Sequence, residues 1–186
     1  MNLFEILCRN REFEQALAKN RERLYRIAFA WSHSPDVADD LVQETCSKAL
    51  RQRKQLREPS SMGPWLFRIL LNTWHDYLRG KKETVEFDEA LYLEEETPET
   101  INSRYETVQR VRLAMQQLPI GQREVLALVD LERFSYAEVA EILDIPAGTV
   151  MSRLCRARRL LKEILLDQPS TQNRVAGVVT LRRKKL

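Results

Sequence analysis

The chain has 186 residues, room for one ordinary domain or two small ones, and its 44% apolar content supports packed cores and excludes wholesale disorder. With 5 glycines and 7 prolines it lacks the positive-φ positions that a strand-and-turn architecture needs, so the expected fold class is all-α. A net charge of +3 makes no case for a nucleic-acid partner, and any such case must come from local segregation of charge.

In chain order, Phe13, Leu17, Leu24, Ile27, Ala28 and Trp31 recur at helical spacing and predict a first helix. After the Ser34-Pro35-Asp36 break a second runs from about Val37 to Arg51. Its outer arc carries Asp36, Asp40, Gln43, Glu44 and Ser47, and its inner arc Ala38, Leu41, Val42, Thr45 and Ala49. A polar loop from Arg53 to Met62 follows, and Pro64 suits the first turn of a third helix bearing Trp65, Leu66, Ile69, Leu70, Trp74 and Tyr77 and ending near Gly80. These helices make a first small bundle over residues 10–82. Residues 83–100 are rich in carboxylates, with no Lys or Arg between Glu83 and Glu99, and read as a flexible acidic linker to which DNA phosphates would be repelled.

Periodicity resumes with Ile101, Tyr105, Val108, Val111, Met115 and Leu118, opening a second domain over residues 101–167. Ser135-Tyr136-Ala137-Glu138 is a capping box. A short helix to Leu143, the break Asp144-Ile145-Pro146 and the small Ala140 then fit a helix-turn-helix. On the next helix Val150, Leu154, Ala157, Leu161, Ile164 and Leu165 share one apolar arc. Gly148, Ser152, Cys155, Arg156 and Arg159 oppose it, flanked by Met151, Arg153 and Arg158, and no carboxylate occurs between Asp144 and Glu163. Hydrogen-bonding groups and guanidiniums on one face are what a helix needs to read a major groove; a structural helix with a solvated basic face would carry the same pattern. Residues 168–186 lack a period, end Arg182-Arg183-Lys184-Lys185 and read as a mobile basic tail.

Taken together, three stretches resemble bacterial RNA polymerase sigma factors of the extracytoplasmic-function group, a branch of the sigma-70 family. They are Pro35-Asp36-Val37-Ala38-Asp39-Asp40-Leu41-Val42-Gln43-Glu44-Thr45; Trp65-Leu66-Phe67-Arg68-Ile69 with Asn72 and Asp76-Tyr77-Leu78-Arg79; and Leu118-Pro119 through Gln122-Arg123-Glu124 to Gly148-Thr149-Val150-Met151-Ser152-Arg153-Leu154. The resemblance spans roughly Phe13 to Leu166 and implies a transcription initiation factor with two DNA-binding domains. It implies that Asp40, Gln43 and Glu44 grip core RNA polymerase. It also implies that Ser60, Ser61, Met62, Trp65, Arg68, Asn72 and Arg79 recognise and melt the downstream promoter element. For the upstream element it points to Met151, Ser152, Arg153, Cys155, Arg156, Arg158 and Arg159, and for regulation to an anti-sigma partner. Family members often carry aromatic residues where this chain has Met62 and Gly63, and a basic residue where it has Met151.

Arg51, Arg53, Lys54, Arg57, Lys81 and Lys82 would add a phosphate-binding rim around the third helix. Trp65 and Trp74 fall within an apolar helical pattern and are expected in the core. Catalysis is not expected: His33 and His75 sit in no metal spacing, and the chain shows neither a glycine-rich phosphate loop nor a nucleophile elbow. No cofactor or metal is therefore assigned. The widely spaced Cys8, Cys46 and Cys155 suit a reducing compartment. No apolar run approaches the roughly 20 residues of a membrane span, so a cytoplasmic protein without membrane insertion is expected. The alternative function is a stand-alone helix-turn-helix regulator acting without core polymerase.

Overall fold

The computed structural model describes residues 3–56, 58, 61–84 and 103–167. The acidic linker from residue 85 onward, the 168–186 tail, Arg57 and Ser60 lie outside them. The described elements are α1 (Leu3–Ser32), α2 (Pro35–Gln52), a 3-10 turn (Arg53–Gln55), α3 (Met62–Thr84), α4 (Ser103–Gln116), α5 (Ile120–Leu126), a π-helical segment (Ala127–Leu131), α6 (Tyr136–Leu143) and α7 (Ala147–Asp167). No strand occurs among the described residues.

Helix α1 begins ahead of the Phe13 pattern because no Gly or Pro interrupts residues 3–32. Its Leu24, Ile27, Ala28 and Trp31 are fully buried against α2 and α3. Ser34 caps α2 by accepting the Val37 N–H, and Pro35 occupies its first turn. All five residues of the expected inner arc of α2 are buried. Helix α3 continues past Gly80 to Thr84; a single helical glycine costs only about 1 kcal/mol relative to Ala, and the lysines that follow favour helix. Its Leu66, Phe67 and Leu70 are wholly inaccessible, each worth about 1.5–3 kcal/mol of burial.

In the second half, Val125, Ala127, Leu128, Val139, Val150 and Ala157 form the core at 0% exposure. The capping box is present: the Ser135 N–H donates to Glu138 Oε2 at 2.8 Å and the Glu138 N–H to Ser135 Oγ at 3.3 Å. The Ser135 hydroxyl, which also donates to Glu138 Oε2 at 2.7 Å, and then the Ser135 N–H pull the Glu138 carboxyl below the usual range. Asp144 ends α6 in the left-handed region at φ 53°, a conformation that Asp tolerates better than most residues. The Ile145 N–H then bonds the Ala140 carbonyl at 3.1 Å, and the Pro146 carbonyl accepts from Thr149 and Val150 to start α7. The helix-turn-helix is thus built by backbone bonds around a three-residue break.

The two halves pack on each other. Phe134, ahead of α6, meets Phe67 of α3 edge-on with centroids 5.0 Å apart, and the Arg23 guanidinium lies 5.5 Å and 5.7 Å from the two ring centres.

Candidate nucleic-acid interface

Helix α7 presents the predicted polarity. Val150, Leu154 and Ala157 are buried, while Met151, Cys155, Arg156, Arg158 and Arg159 are exposed and Ser152 and Arg153 half-buried. Its arginines are not equivalent. Arg156 makes no ion pair among the described residues, and Arg159 reaches Glu163 only at 4.0 Å. Arg158 is held by Asp130 of the π segment through Nε at 3.2 Å and Nη2 at 2.6 Å. The Asp130 hydrogen bond also raises its pKa. Arg153 folds over α5, where a Cβ on Gly121 would lie 3.2 Å from its guanidinium. The Ser152 hydroxyl donates to the Thr149 carbonyl at 3.0 Å, which leaves its oxygen free to accept.

On α3 the expected downstream residues divide in a similar way. Ser61, Arg68, Asn72 and Arg79 are exposed. Met62, expected at the end of the polar loop and among the residues that melt the downstream element, is the first residue of α3 and is buried at 7% exposure, so its side chain belongs to the core. Trp65 is half-buried and meets Phe13 edge-on at 6.1 Å; Trp74 is buried and stacks on Tyr77. Arg79 is bonded to Asp76, which also accepts from Lys48 at 3.2 Å. The Arg79 bond above all, and Lys48 with it, holds the Asp76 carboxyl below its ordinary range. Of the rim, Arg51, Arg53, Lys54 and Lys81 are exposed, and Arg51 is paired with Glu44 at 3.2 Å.

The outer arc of α2 exposes Asp36, Asp40, Gln43 and Glu44. Glu44 is shared between Arg51 and Lys48, the latter at 3.9 Å, whereas Asp40 has no cationic partner among the described residues.

Several interdomain residues escaped the sequence reading. Glu132, with its side chain 1% exposed, accepts from Arg23 Nε at 2.8 Å and from Arg26 Nη2 and Nε at 2.7 and 2.9 Å. Glu124, 5% exposed, lies 2.8 Å from His75 Nε2. That hydrogen bond raises the His75 pKa, against the opposing effect of burial. Arg123 donates to the Trp31 carbonyl at 2.8 Å and to the Gln116 and Leu118 carbonyls at 2.6 and 3.0 Å. One guanidinium therefore satisfies orphan carbonyls at the C-terminal ends of α1 and α4 together. The only hint in the sequence was Glu124 and Glu132 at the two ends of the stretch Val125–Leu131, which is apolar apart from Asp130. No group of three or more His, Cys, Asp or Glu able to hold a metal occurs among the described residues, and no described helix is long and apolar enough to cross a membrane.

Known proteins share both halves. Residues 17–84 match the sigma-70 region 2 family and residues 108–161 the sigma-70 region 4 family. The extracytoplasmic-function RNA polymerase sigma factor EcfG of Rhodopseudomonas palustris is 36% identical over 145 residues, covering 76% of this chain and 78% of that one. SigM of Mycobacterium tuberculosis is 31% identical over 155 residues, covering 82% and 76%. Among solved structures, the sigma factor RpoE of Bartonella quintana in complex with the anti-sigma factor NepR matches with a TM-score of 0.70 at 30% identity, covering 86% of this chain and 99% of that one. CnrH in complex with the cytosolic domain of CnrY matches with a TM-score of 0.63 at 28% identity, covering 86% and 90%. With its two helical halves, its helix-turn-helix and these relatives, the chain belongs to the extracytoplasmic-function group of the sigma-70 family, the transcription initiation factors that direct RNA polymerase to promoters.

Proposed function

We propose that the two halves divide this work as the surface chemistry divides. The α7 face reads the upstream promoter element, Arg156 and Ser152 contacting base edges and Arg153, Arg158 and Arg159 anchoring phosphates; Met151 and Cys155 complete the groove-facing surface. Arg68, Asn72 and Arg79, with Ser60, Ser61 and Trp65, engage the downstream element. The acidic arc at Asp40, Gln43 and Glu44 docks on a basic surface of core polymerase. The domains are taken as residues 10–82 and 101–167, joined by the 83–100 linker and followed by the 168–186 tail.

What carries this reading is Arg156, without an ion-pair partner among the described residues, on a helix face without carboxylates and opposite an arc that is buried from Val150 to Ala157. An anti-sigma factor restrains the protein, as RpoE and CnrH were solved with theirs. To cover both the α2 arc and the α7 face, that partner offers basic groups to the first and acidic groups to the second, so association weakens with salt. The protein acts in the cytoplasm and is not an enzyme.

The test is in vitro transcription with purified core polymerase on a genomic library, mapping run-off products to their start sites. Products that share two upstream motifs support the assignment. Operator binding without core polymerase, and no directed run-off, would refute it.

A further inference from the structure

We infer that Met151 and Ser152 set the base preference of α7 for a thymine·adenine pair, the Met151 side chain packing on the thymine methyl and the Ser152 oxygen accepting from the adenine amino group. The inference rests on the reading of α7 as the helix that enters the upstream element, and names the DNA that this helix takes.

Packing does not explain Met151. It stands at 55% exposure beside the fully buried Val150, just past the first turn of α7, where the side chains of a groove-bound recognition helix meet base edges. Residues four apart are neighbours on a helix. Met151 and Cys155 therefore make an uncharged row, and Ser152 and Arg156 a polar row next to it. A single exposed apolar side chain is ordinary on a protein surface, but this one lies in the stretch from Ile145 to Lys162, which holds no carboxylate and five arginines. That charge draws the surface onto DNA. Methionine can neither pair with a phosphate nor donate to guanine. What the major groove offers it is the thymine methyl, the apolar group among the donors and acceptors of the base edges, and a flexible thioether chain adapts well to it.

Ser152 narrows the choice from a second direction. Its hydroxyl hydrogen is committed to the Thr149 carbonyl at 3.0 Å, so toward DNA its oxygen can only accept. The base donors in the major groove are the adenine N6 and cytosine N4 amino groups, whereas guanine O6 and N7 and thymine O4 would meet it lone pair to lone pair. Of the two donor bases, only adenine is paired with a base that carries a methyl. A thymine·adenine pair thus serves both adjacent residues, and a cytosine·guanine pair serves Ser152 alone. Arg156, five residues after Met151, complements guanine. That separation is about 7.5 Å along the helix axis, or about two base-pair steps of roughly 3.4 Å. The element is therefore expected to hold the thymine·adenine pair within about two pairs of a guanine.

The test begins with selection from duplexes carrying a randomised window, by the full-length protein alone and by the protein loaded on core polymerase. Anisotropy on the enriched duplex then compares thymine with deoxyuridine at the selected pair, a change that removes the methyl and no hydrogen bond. The wild type is expected to bind the deoxyuridine duplex about fourfold more weakly, as for one methyl returned to water. Met151→Ala is expected to lose the same factor on the thymine duplex and to bind both duplexes alike, while Met151→Leu keeps the thymine preference; circular dichroism establishes that each variant is folded. Unsubstituted purine in place of adenine lacks the amino group and should weaken the wild type but not Ser152→Ala. Equal wild-type affinity for thymine and deoxyuridine overturns the inference, as does a methyl preference that persists in Met151→Ala or a purine effect that persists in Ser152→Ala. Selection that enriches no thymine·adenine pair in either arm overturns it too. Run-off by polymerase loaded with wild-type protein judges the sigma-factor assignment separately: failed run-off with methyl dependence intact removes that assignment and keeps the base reading, whereas directed run-off without methyl dependence removes the base reading alone.

Discussion

Replacing Arg156 by Ala should cost more, and in a more selective way, than replacing its neighbour Arg158. Arg156 is exposed and free of carboxylates among the described residues, so a bidentate contact to a guanine edge would be made at little prior cost. Losing such a contact costs about 1–3 kcal/mol, or roughly five- to 150-fold in affinity for the cognate upstream element. Arg158 must share or surrender its Asp130 bonds at 2.6 and 3.2 Å before it can serve DNA. An exposed pair of this kind is worth about 0.2–1 kcal/mol, which offsets much of what a phosphate contact returns. Fluorescence anisotropy with cognate and scrambled elements at several salt concentrations separates the two roles. Arg156→Ala should lose cognate affinity and flatten preference at one base pair. Arg158→Ala should weaken both sequences alike by a smaller factor and reduce the salt slope by about one. Equal losses for Arg156→Ala on cognate and scrambled DNA would refute a base-reading role and return Arg156 to the phosphate class.

Asp40→Lys should weaken capture of core polymerase in a pull-down while leaving the circular dichroism spectrum and melting temperature unchanged, since Asp40 is exposed and has no ion-pair partner among the described residues; Glu44→Lys should do the same with some loss of stability, because it also breaks the Arg51 and Lys48 pairs. Ser135→Ala should lower the urea midpoint by an amount equivalent to about 1 kcal/mol, the usual worth of a helix N-cap, and Glu138→Ala should show the other half of the box. The two histidines should shape stability in opposite senses. His75 is raised by its Glu124 bond, so its contribution is complete below the unfolded value of about 6.5 and disappears as pH rises through the folded value. His33 is lowered to about 4, chiefly by burial and then by the charges of Arg123 and Arg112; stability is therefore held above about pH 6.5 and lost as pH falls toward 4. Urea titrations from pH 4 to 8 check both: His75→Gln should flatten the alkaline limb and His33→Asn the acid limb, and an unchanged limb in either variant would remove that histidine as its cause.

What is local in this protein is legible in the sequence. The split of α2 into an acidic arc and a buried arc, the Ser135–Glu138 box and the apolar stripe of α7 each depend on residues within a turn or two of one another. Helical periodicity and capping chemistry specify them without reference to the rest of the chain. The same periodicity places Arg153, Arg156, Arg158 and Arg159 near one another on α7, but it cannot rank them. Their difference comes from Asp130 and Gly121, which lie on other elements.

The tertiary structure alone decides which charges face which. Glu132 is an ordinary charged residue until the fold carries Arg23 and Arg26, 109 and 106 positions away, onto its two oxygens. Arg123 similarly finds the end of α1 92 residues distant. Met62 is taken into the core by the early start of α3, which Pro64 alone did not signal. The physical reason is common to all three. Amphipathic spacing encodes that a face will be buried, whereas the identity of its partner is a property of packing between segments, to which the spacing within either segment is blind.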